Sequence, residues 1–188
     1  MFGRKLNTED QDIWVTSDLH FWHKNVMKFC KDTRPWSTLE EMHEALIEEW
    51  NSKVKPDDII FSLGDFSFSG KEKTLSILDR LQGKKVFILG NHCKVFRTSL
   101  GLKDTYDYLE LRIDGTKICM SHFPMASYNQ QGRGSLMLFG HCHGSYHPEG
   151  RTMDVGYDNL GKITNIKEVM SELLSRDIYT VDHHTKVD

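Results

Sequence analysis

The sequence lacks long apolar runs, closely spaced cysteines and an excess of basic residues. No stretch of the 188 residues approaches the length of a membrane-spanning helix, and the polar start, residues 1–12, does not resemble a signal peptide. No C-x-x-C pair occurs, which argues against a zinc ribbon, a thioredoxin motif or a zinc-stabilised binding module. The four cysteines are Cys30, Cys93, Cys119 and Cys142. These absences predict a cytoplasmic protein with reduced thiols.

The charge balance is slightly acidic. Lys and Arg total 24 and Asp and Glu total 27, so the formal charge is −3. That balance argues against an extended nucleic-acid-binding surface. It does not argue against a phosphorylated substrate, because bound metal ions would add positive charge. With no repeat, low-complexity segment or linker, we expect one domain over residues 1–188, with a peripheral tail from about residue 177.

Strands and helices alternate in the first half of the predicted fold. Apolar runs predict strands at residues 13–16, 59–63 and 86–89, and residues 72–81 have a helical pattern. Ser37 and Glu40 have capping-box spacing and would begin another helix. In the second half we predict a hairpin at 106–113 and 117–120, strands at 136–139 and 153–155, and a helix at 166–174. This order favours an α/β half joined to a β-rich half, with two sheets packed together.

Five short polar clusters each follow a predicted strand. In open α/β sheets, ligands bind beyond the carboxyl ends of strands, so we expect the clusters to build one polar site. Any single cluster is typical of an ordinary turn, and the repeated placement is what indicates a site. The clusters are Asp18-Leu19-His20, Gly64-Asp65, Gly90-Asn91-His92, Ser121-His122 and Gly140-His141-Cys142-His143.

The residue types in these clusters suit divalent metal ions. Carboxylate and amide oxygens combined with imidazole nitrogens favour Mn, Fe, Zn, Co or Ni over an all-oxygen calcium site. Alternation along a strand end would point Asp18 and His20 the same way, and His141 and His143 likewise. Sharp backbone turns at glycine would let the following ligand face the metals. Those glycines are Gly64, Gly90 and Gly140.

The complete pattern resembles that of the calcineurin-like metallophosphoesterases, which is D-x-H, G-D, G-N-H-[DE], H and G-H-x-H. Here it runs from Asp18 to His143. The segment from Ser17 to Asn25, followed by Arg34, is also similar to a small bacterial and phage branch of predicted phosphoesterases. The resemblance implies an α/β (α+β) fold, a four-layer α-β-β-α sandwich with the metals at its edge. It also implies two bound divalent metal ions. Mn is the first expectation, and Fe, Zn, Ni, Co and Mg are the alternatives.

The resemblance implies a role for each residue that occupies a position of the family's motifs. By resemblance, one metal would be held by Asp18, His20 and His143, and the other by Asn91, His122 and His141, with Asp65 bridging them. His92 would bind neither metal and would protonate the leaving oxygen. A hydroxide bridging the metals would attack phosphorus in line with the leaving group.

The residue after His92 departs from the family pattern. Where the family has Asp or Glu, which orients the histidine, this chain has Cys93. Cysteine is a weak hydrogen-bond partner, so His92 is predicted to be a poorer general acid unless Asp65 or Asp104 supports it. We favour a small buried residue as the interpretation of Cys93, ahead of a redox role.

Other candidate residues each have two interpretations. His23 would contact the substrate phosphate or a further metal, or else hydrogen-bond within its loop and hold Asp18. Arg34 and Arg133 are candidate phosphate clamps, or else ordinary structural or surface residues. The loop of residues 128–134 is a candidate substrate loop. The aromatic residues flanking the clusters would stack on a base or pack in the core, and they are Trp22, Trp36 and Phe66.

The predicted activity is hydrolysis of a phosphate mono- or diester. A small nucleotide-type substrate fits a short chain, and no membrane partner is expected. The run Gly64-Asp65-Phe66-Ser67-Phe68 does not match the G-D-x-V-D-R-G of Ser/Thr protein phosphatases. The alternatives are a nuclease on the same fold, which the charge balance disfavours, and a non-catalytic metal-binding scaffold, which the complete set of ligand positions disfavours. Nothing in the sequence indicates the oligomeric state.

Overall fold

The computed structural model describes residues 5–181, and the polar tail with His183 and His184 lies outside them. In chain order the elements are β1 (Lys5–Leu6), β2 (Ile13–Thr16), α1 (Val26–Phe29), α2 (Leu39–Lys53), β3 (Ile59–Ser62), α3 (Lys71–Leu78), β4 (Lys84–Ile88), β5 (Thr105–Tyr106), β6 (Tyr108–Ile113), β7 (Thr116–Ser121), β8 (Leu136–Phe139), β9 (Thr152–Asp154), α4 (Tyr157–Leu160), β10 (Thr164–Asn165) and α5 (Ile166–Ser175). A π-helical turn at Phe96–Leu100 and a 3-10 turn at Gln131–Arg133 complete the list.

The strands form two mixed five-stranded sheets. The first has the order β10-β2-β3-β4-β5, in which β2 to β5 are parallel and β10 is antiparallel to β2. The second has the order β1-β6-β7-β8-β9, in which only β6 and β7 are antiparallel. The turn of that predicted hairpin has left-handed φ at both Asp114 (48°) and Gly115 (79°), as a two-residue hairpin requires.

A shared apolar core lies between the two sheets. Alternate residues of each strand point into it, such as Ile13 and Val15 from β2 and Leu136 and Leu138 from β8, all fully buried. The helix α5 adds its apolar face to the same cluster, with Ile166, Val169, Met170 and Leu173. The two-sheet α/β sandwich predicted from the sequence is therefore confirmed.

The outer faces of the two sheets are covered differently. Helices α2 and α3 pack on the first sheet around the buried Trp50, whose indole nitrogen donates to the Gln82 carbonyl at 2.9 Å. On the second sheet, Tyr128 from a loop packs against Cys119, Met137 and Phe139. In the described part of the chain, the outer face of the second sheet is therefore covered by a loop. Helix α5 packs instead against the core between the two sheets.

The helix α2 begins one residue later than the predicted capping box. Thr38, not Ser37, is the N-cap: its hydroxyl accepts from the Glu41 amide at 3.1 Å, and the Glu41 carboxylate accepts from the Thr38 amide at 3.4 Å. Glu41 also accepts from the Ser37 amide. T-x-x-E and S-x-x-E overlap here, and Thr38 has the extended backbone that is typical of an N-cap, with φ of −126° and ψ of 159°.

The predicted strand and helix boundaries agree with the structure to within a few residues. The two-residue strands β1, β5 and β10 and the short helices α1 and α4 were not predicted, because such short elements have no detectable periodicity. Across residues 5–181, the helices lack the length and apolarity that a membrane span requires.

Candidate metal centre

The five polar clusters meet at one edge of the sandwich. Three of them follow the parallel strands β2, β3 and β4 of the first sheet, and two follow the parallel strands β7 and β8 of the second. Since parallel strands end at the same side of a sheet, both sheets deliver their clusters to a common edge. The structure thus brings together Asp18, His20, Asp65, Asn91, His122, His141 and His143.

The first group of ligand atoms surrounds Asp18. Its Oδ1 lies 3.7 Å from His20 Nε2 and 3.8 Å from His143 Nε2, and the three residues could hold one ion between them. The other carboxylate oxygen accepts a hydrogen bond from the His141 amide at 2.8 Å. Asp18 is therefore fixed through one oxygen, and its other oxygen faces the imidazoles.

The second group contains Asp65, His122 and His141, with Asn91 beside them. His122 Nε2 lies 3.4 Å from Asp65 Oδ2 and 3.0 Å from Asn91 Oδ1. The same Asp65 oxygen is 3.9 Å from His20 Nε2, so this carboxylate lies between the two groups. That position is the one a bridging ligand would need.

Several buried atoms in this centre lack the partner that a cation would provide. Asp18 Oδ1 and His20 Nε2 are buried and make no hydrogen bond. His122 Nδ1 lies 2.9 Å from the Leu63 carbonyl, which can only accept, so Nδ1 carries a proton and, in the neutral imidazole that binds a metal, Nε2 presents a lone pair. That lone pair faces the oxygens of Asp65 and Asn91. Acceptors converging without donors are costly, so the residues fit a divalent metal centre.

The backbone of the ligands adopts an unusual conformation. Asp18, His20, Asp65, His141 and His143 all have left-handed φ values, between 45° and 70°. Non-glycine residues avoid this region, and clusters of such strain are typical of functional sites. Asp18 and His20 do face the same group of ligands, as predicted, whereas His141 and His143 belong to different groups. Strand alternation is not the cause, because these residues follow the strands and turn individually.

The glycines of the clusters mainly provide room for the ligands. Only Gly64 has the left-handed backbone expected of a sharp turn, with φ of 106°. A Cβ on Gly140 would lie 2.0 Å from Ser17 Oγ and 2.5 Å from Asp18 Oδ2. A Cβ on Gly90 would lie 2.2 Å from Asp65 Oδ1. The turning role predicted for Gly90 and Gly140 is thus replaced by a packing role.

The ligands influence one another's pKa values in the metal-free site. Burial raises the pKa of Asp65, but the hydrogen bond and charge of His122 outweigh it and lower that pKa to about 2. Burial likewise opposes ionisation of Asp18, and nearby imidazoles hold its pKa below the ordinary value. Burial lowers the pKa of His122, but the hydrogen bond and charge of Asp65 outweigh burial, so the pKa of His122 lies above its ordinary value. The site therefore keeps its carboxylates ionised, as metal ligands must be.

A buried ion pair that the sequence did not predict holds His143. Asp158 Oδ2 accepts from His143 Nδ1 at 2.6 Å, which leaves Nε2 free for a metal. Arg34 donates to both Asp158 oxygens at 2.8 Å, and Thr33 donates to Oδ1 at 2.5 Å. Burial raises the pKa of Asp158, but the hydrogen bonds from His143 and Arg34 outweigh it and lower that pKa. Such carboxylate–histidine pairs orient metal ligands.

The surroundings of Arg34 do not fit the predicted phosphate clamp. Its side chain is fully buried, and its remaining donors bind the carbonyls of Leu19 and Asp18, at 3.0 and 2.5 Å. Its guanidinium is occupied within the protein. Arg133, the other candidate, is exposed in the 3-10 turn and does not line the cleft described below.

His92 and His23 lie beside the ligands on a small aromatic surface. The His92 ring is exposed, and its amide donates to Asp65 Oδ1 at 3.0 Å. His23 stacks on Phe68 with ring centroids 4.4 Å apart, and its Nδ1 is 3.1 Å from His20 Nδ1. Burial, followed by the charges of His20 and His92, lowers the pKa of His23 to about 4. His23 is therefore a neutral neighbour of a ligand.

Cys93 is buried in the core, whereas His92 is exposed. Cys93 is 2% exposed and packs beneath α2 and α3, and burial raises the pKa of its thiol. Within residues 5–181, no carboxylate lies at ion-pairing distance from the His92 ring. Asp65 contacts only its backbone amide, and Asp104 accepts from Tyr106. Neither of the carboxylates suggested as a support reaches the ring.

The aromatic residues predicted to flank the site lie mostly in the core. Phe66 is fully buried, Trp36 packs near Tyr157, and the Trp22 indole donates to the Lys73 carbonyl. A stacking role for Phe66 is therefore wrong. In the candidate substrate loop, residues 128–134, Tyr128 is buried on the second sheet, and none of the loop residues lines the cleft described below.

A cleft of about 670 Å³ opens over the metal ligands. His20, Asp65, His141 and His143 line its base, together with Asn91 and His92. The cleft continues past them to α1 and the loop that follows it. The volume is typical of a small-molecule site.

Comparisons with known proteins agree with this geometry. The family model for calcineurin-like phosphoesterases matches residues 12–188. An uncharacterised protein of Methanocaldococcus jannaschii is 32% identical over 171 residues, covering 86% of this chain and 88% of that protein. The gene 66 protein of Mycobacterium phage D29 is 28% identical, covering 86% of this chain and 97% of that protein. A crystal structure of an Aquifex aeolicus protein of unknown function has the same fold, with a TM-score of 0.67 at 22% identity, covering 86% of this chain and 99% of that one.

Proposed function

Because the chain belongs to the calcineurin-like phosphoesterase family, we propose that it hydrolyses a phosphate mono- or diester at the metal centre described above. The observation that carries the proposal is the pair of buried, unpartnered atoms Asp18 Oδ1 and His20 Nε2, among acceptors that converge without donors. A cage of this kind is stable only around positive charge. A phosphate group is the ligand that such a charged site would attract.

Two divalent ions are proposed, of which Mn is the first choice. Asp18, His20 and His143 would hold one, and Asn91, His122 and His141 the other, with Asp65 shared. When bound, such ions neutralise the phosphoryl oxygens and lower the pKa of a water molecule. The imidazole nitrogens also suit Fe, Zn, Ni or Co, and the carboxylate and amide oxygens suit Mg.

The protein's own contribution is to hold the ligands ready. The Leu63 carbonyl and the Asp158 carboxylate fix the tautomers of His122 and His143, so that Nε2 of each faces inward. The His141 amide holds Asp18. Ligands held in this way do not need to reorganise during the reaction, which is a large part of electrostatic catalysis.

His92 is proposed to protonate the leaving oxygen. Its exposed ring lines the cleft, and its backbone is fixed to the bridging carboxylate by the bond to Asp65 Oδ1. Among residues 5–181 no carboxylate is at ion-pairing distance from the ring, so we expect better turnover of esters whose leaving groups need little protonation.

The substrate is proposed to be small and nucleotide-type. The cleft volume of about 670 Å³ suits such a molecule, and the net charge of −3 gives no support to a nuclease that grips a long strand.

Metal-dependent hydrolysis tests the proposal. The protein is stripped with a chelator, reloaded with Mn²⁺, and assayed on bis-p-nitrophenyl phosphate, p-nitrophenyl phosphate and a panel of nucleotides. We expect turnover only after reloading. Asp65→Ala should lose bound metal and lower kcat/KM by about 10³-fold, the equivalent of several kcal/mol. His92→Ala should keep its metal and lower kcat about 10²-fold or more on substrates with poor leaving groups.

The exposed His147, which is absent from the cleft lining, provides a matched histidine control. His147→Ala should behave as the wild type. No metal-dependent turnover on any substrate would favour a non-catalytic scaffold. Equal loss of metal from Asp65→Ala and His92→Ala would contradict their separate roles.

A further inference from the structure

Part of the cleft lining, which we call the second limb, comes from residues other than the metal ligands. It consists of Val26 and Phe29 of α1 and Lys31 and Asp32 of the following loop. This limb is adjacent to the centre, because Cys30 Sγ lies 3.6 Å from His143 Nδ1. A molecule held at the metal ligands can therefore extend into it.

Phe29 is exposed to an unusual degree for a large apolar side chain. It is 76% exposed, although it lines a cleft that is otherwise rich in charged and polar groups. Its neighbour Val26 is 2% exposed and anchors the turn, and the Val26 amide bonds the His23 carbonyl at 3.1 Å. The phenyl ring is thus presented to the cleft from a fixed backbone. Exposed apolar surface in a cleft is typical of a ligand contact.

The polar groups beside Phe29 complement this ring. Lys31 and Asp32 are both exposed, line the same limb and form no salt bridge with another residue in the range 5–181. One is a donor and the other an acceptor. A flat ring with donor and acceptor groups on its edge would use all three side chains, whereas an alkyl chain would leave both charges unpaired and a second phosphate would be repelled by Asp32.

We propose that this limb, defined by Val26, Phe29, Lys31 and Asp32, binds the base of a nucleoside phosphoester whose phosphate lies at the metal centre. The inference rests on the proposed hydrolytic function and names the part of the substrate that determines specificity. The base stacks on Phe29, and its edge bonds to Lys31 and Asp32. Stacking on a phenyl ring tolerates any base, so the limb selects for nucleosides over other alcohols.

Two esters that differ only in the group bound by the limb test this inference. Thymidine 5′-(p-nitrophenyl phosphate) and methyl p-nitrophenyl phosphate release the same leaving group. The ratio of their kcat/KM values therefore reports recognition of the nucleoside and cancels metal loading. The wild type should favour the thymidine ester. Phe29→Ala should lower the ratio about 5- to 150-fold, the range measured for base stacking on aromatic residues, and Phe29→Trp should retain it.

Leu174→Ala is the matched control, since Leu174 is also exposed, at 40%, and lies on α5 outside the cleft lining. It should keep the wild-type ratio. A thermal melt of each variant with Mn²⁺ verifies folding. A wild-type ratio near one, or an unchanged ratio in Phe29→Ala, would overturn the base site while hydrolysis stands. Absence of hydrolysis of both esters and of the monoester p-nitrophenyl phosphate would instead refute the proposed function.

Discussion

Replacing Asp158 by alanine removes the carboxylate that His143 and Arg34 share. The Arg34 side chain is 0% exposed and the Asp158 side chain 2% exposed, so the variant leaves a guanidinium buried without its counterion. Breaking a buried pair in this way costs about 3–5 kcal/mol. We therefore expect the free energy of unfolding of metal-free Asp158→Ala to fall by about that amount.

The same change should weaken metal binding. His143 Nδ1 loses the acceptor that lies 2.6 Å away, and its ring is then free to rotate or to change tautomer. Loss of such a supporting carboxylate typically costs about 10- to 100-fold in metal affinity. Asp158→Asn keeps an oxygen for Nδ1–H and should lose less affinity, although Arg34 would face a dipole in place of a charge.

Urea unfolding and calorimetric titration with Mn²⁺ measure these two effects. Asp107→Ala is the control, because Asp107 pairs with Arg97 at the surface, where the two side chains are 71% and 47% exposed. It should cost no more than about 1 kcal/mol and leave metal affinity unchanged. Wild-type metal affinity in Asp158→Ala would refute the orienting role, even if the protein is destabilised.

Three further predictions follow from the structure. Gly140→Ala should lose metal and stability, since its Cβ would meet Asp18 at 2.5 Å, whereas Gly70→Ala, with nothing within 4 Å, should keep both. In metal-free protein the lowered pKa of Asp65 contributes stability that is fully present above about pH 4 and is lost as the pH falls towards about 2, so this acid loss of stability should be smaller in Asp65→Asn. Urea unfolding in EDTA across pH measures this, and an equally pH-dependent Asp65→Asn would contradict it. Thr38→Ala should lower the free energy of unfolding, measured by urea titration, by about 1 kcal/mol. An unchanged free energy would exclude Thr38 as the cap.

The strands and the clusters that follow them were predictable from the sequence. Apolar runs such as residues 136–139 coincide with β8, and each run ends at a polar cluster. Strand direction then determines which edge the clusters share. Local patterns were sufficient for this part, because the ligands lie next to the strands that position them.

Asp158 was missed because its contacts are distant in the sequence. It lies in the four-residue helix α4, and its partner Arg34 is 124 positions away. Asp158 belongs to no recognisable motif, and the residue type of Arg34 alone suggests phosphate binding. The pairing of two buried charges depends on packing that only the folded chain reveals.

The backbone of the ligands was missed for a related reason. Alternation predicts side-chain direction inside a strand, but Asp18 and His20 lie beyond β2, each in the left-handed region. Such φ values are imposed by surrounding contacts, and the presence of Asp or His is not enough to predict them. For the same reason, the sequence after β3 does not show that Phe66 is buried whereas Phe68 is 46% exposed beside His92.

A crystal of the protein grown with Mn²⁺ and measured for anomalous scattering tests the central claim most directly. We predict two peaks, one against Asp18, His20 and His143 and one against Asn91, His122 and His141, with Asp65 between them. At a dinuclear site the peaks should lie about 3.5–4 Å apart. No peak among these residues, in a protein that hydrolyses phosphoesters only with added Mn²⁺, would contradict the assignment.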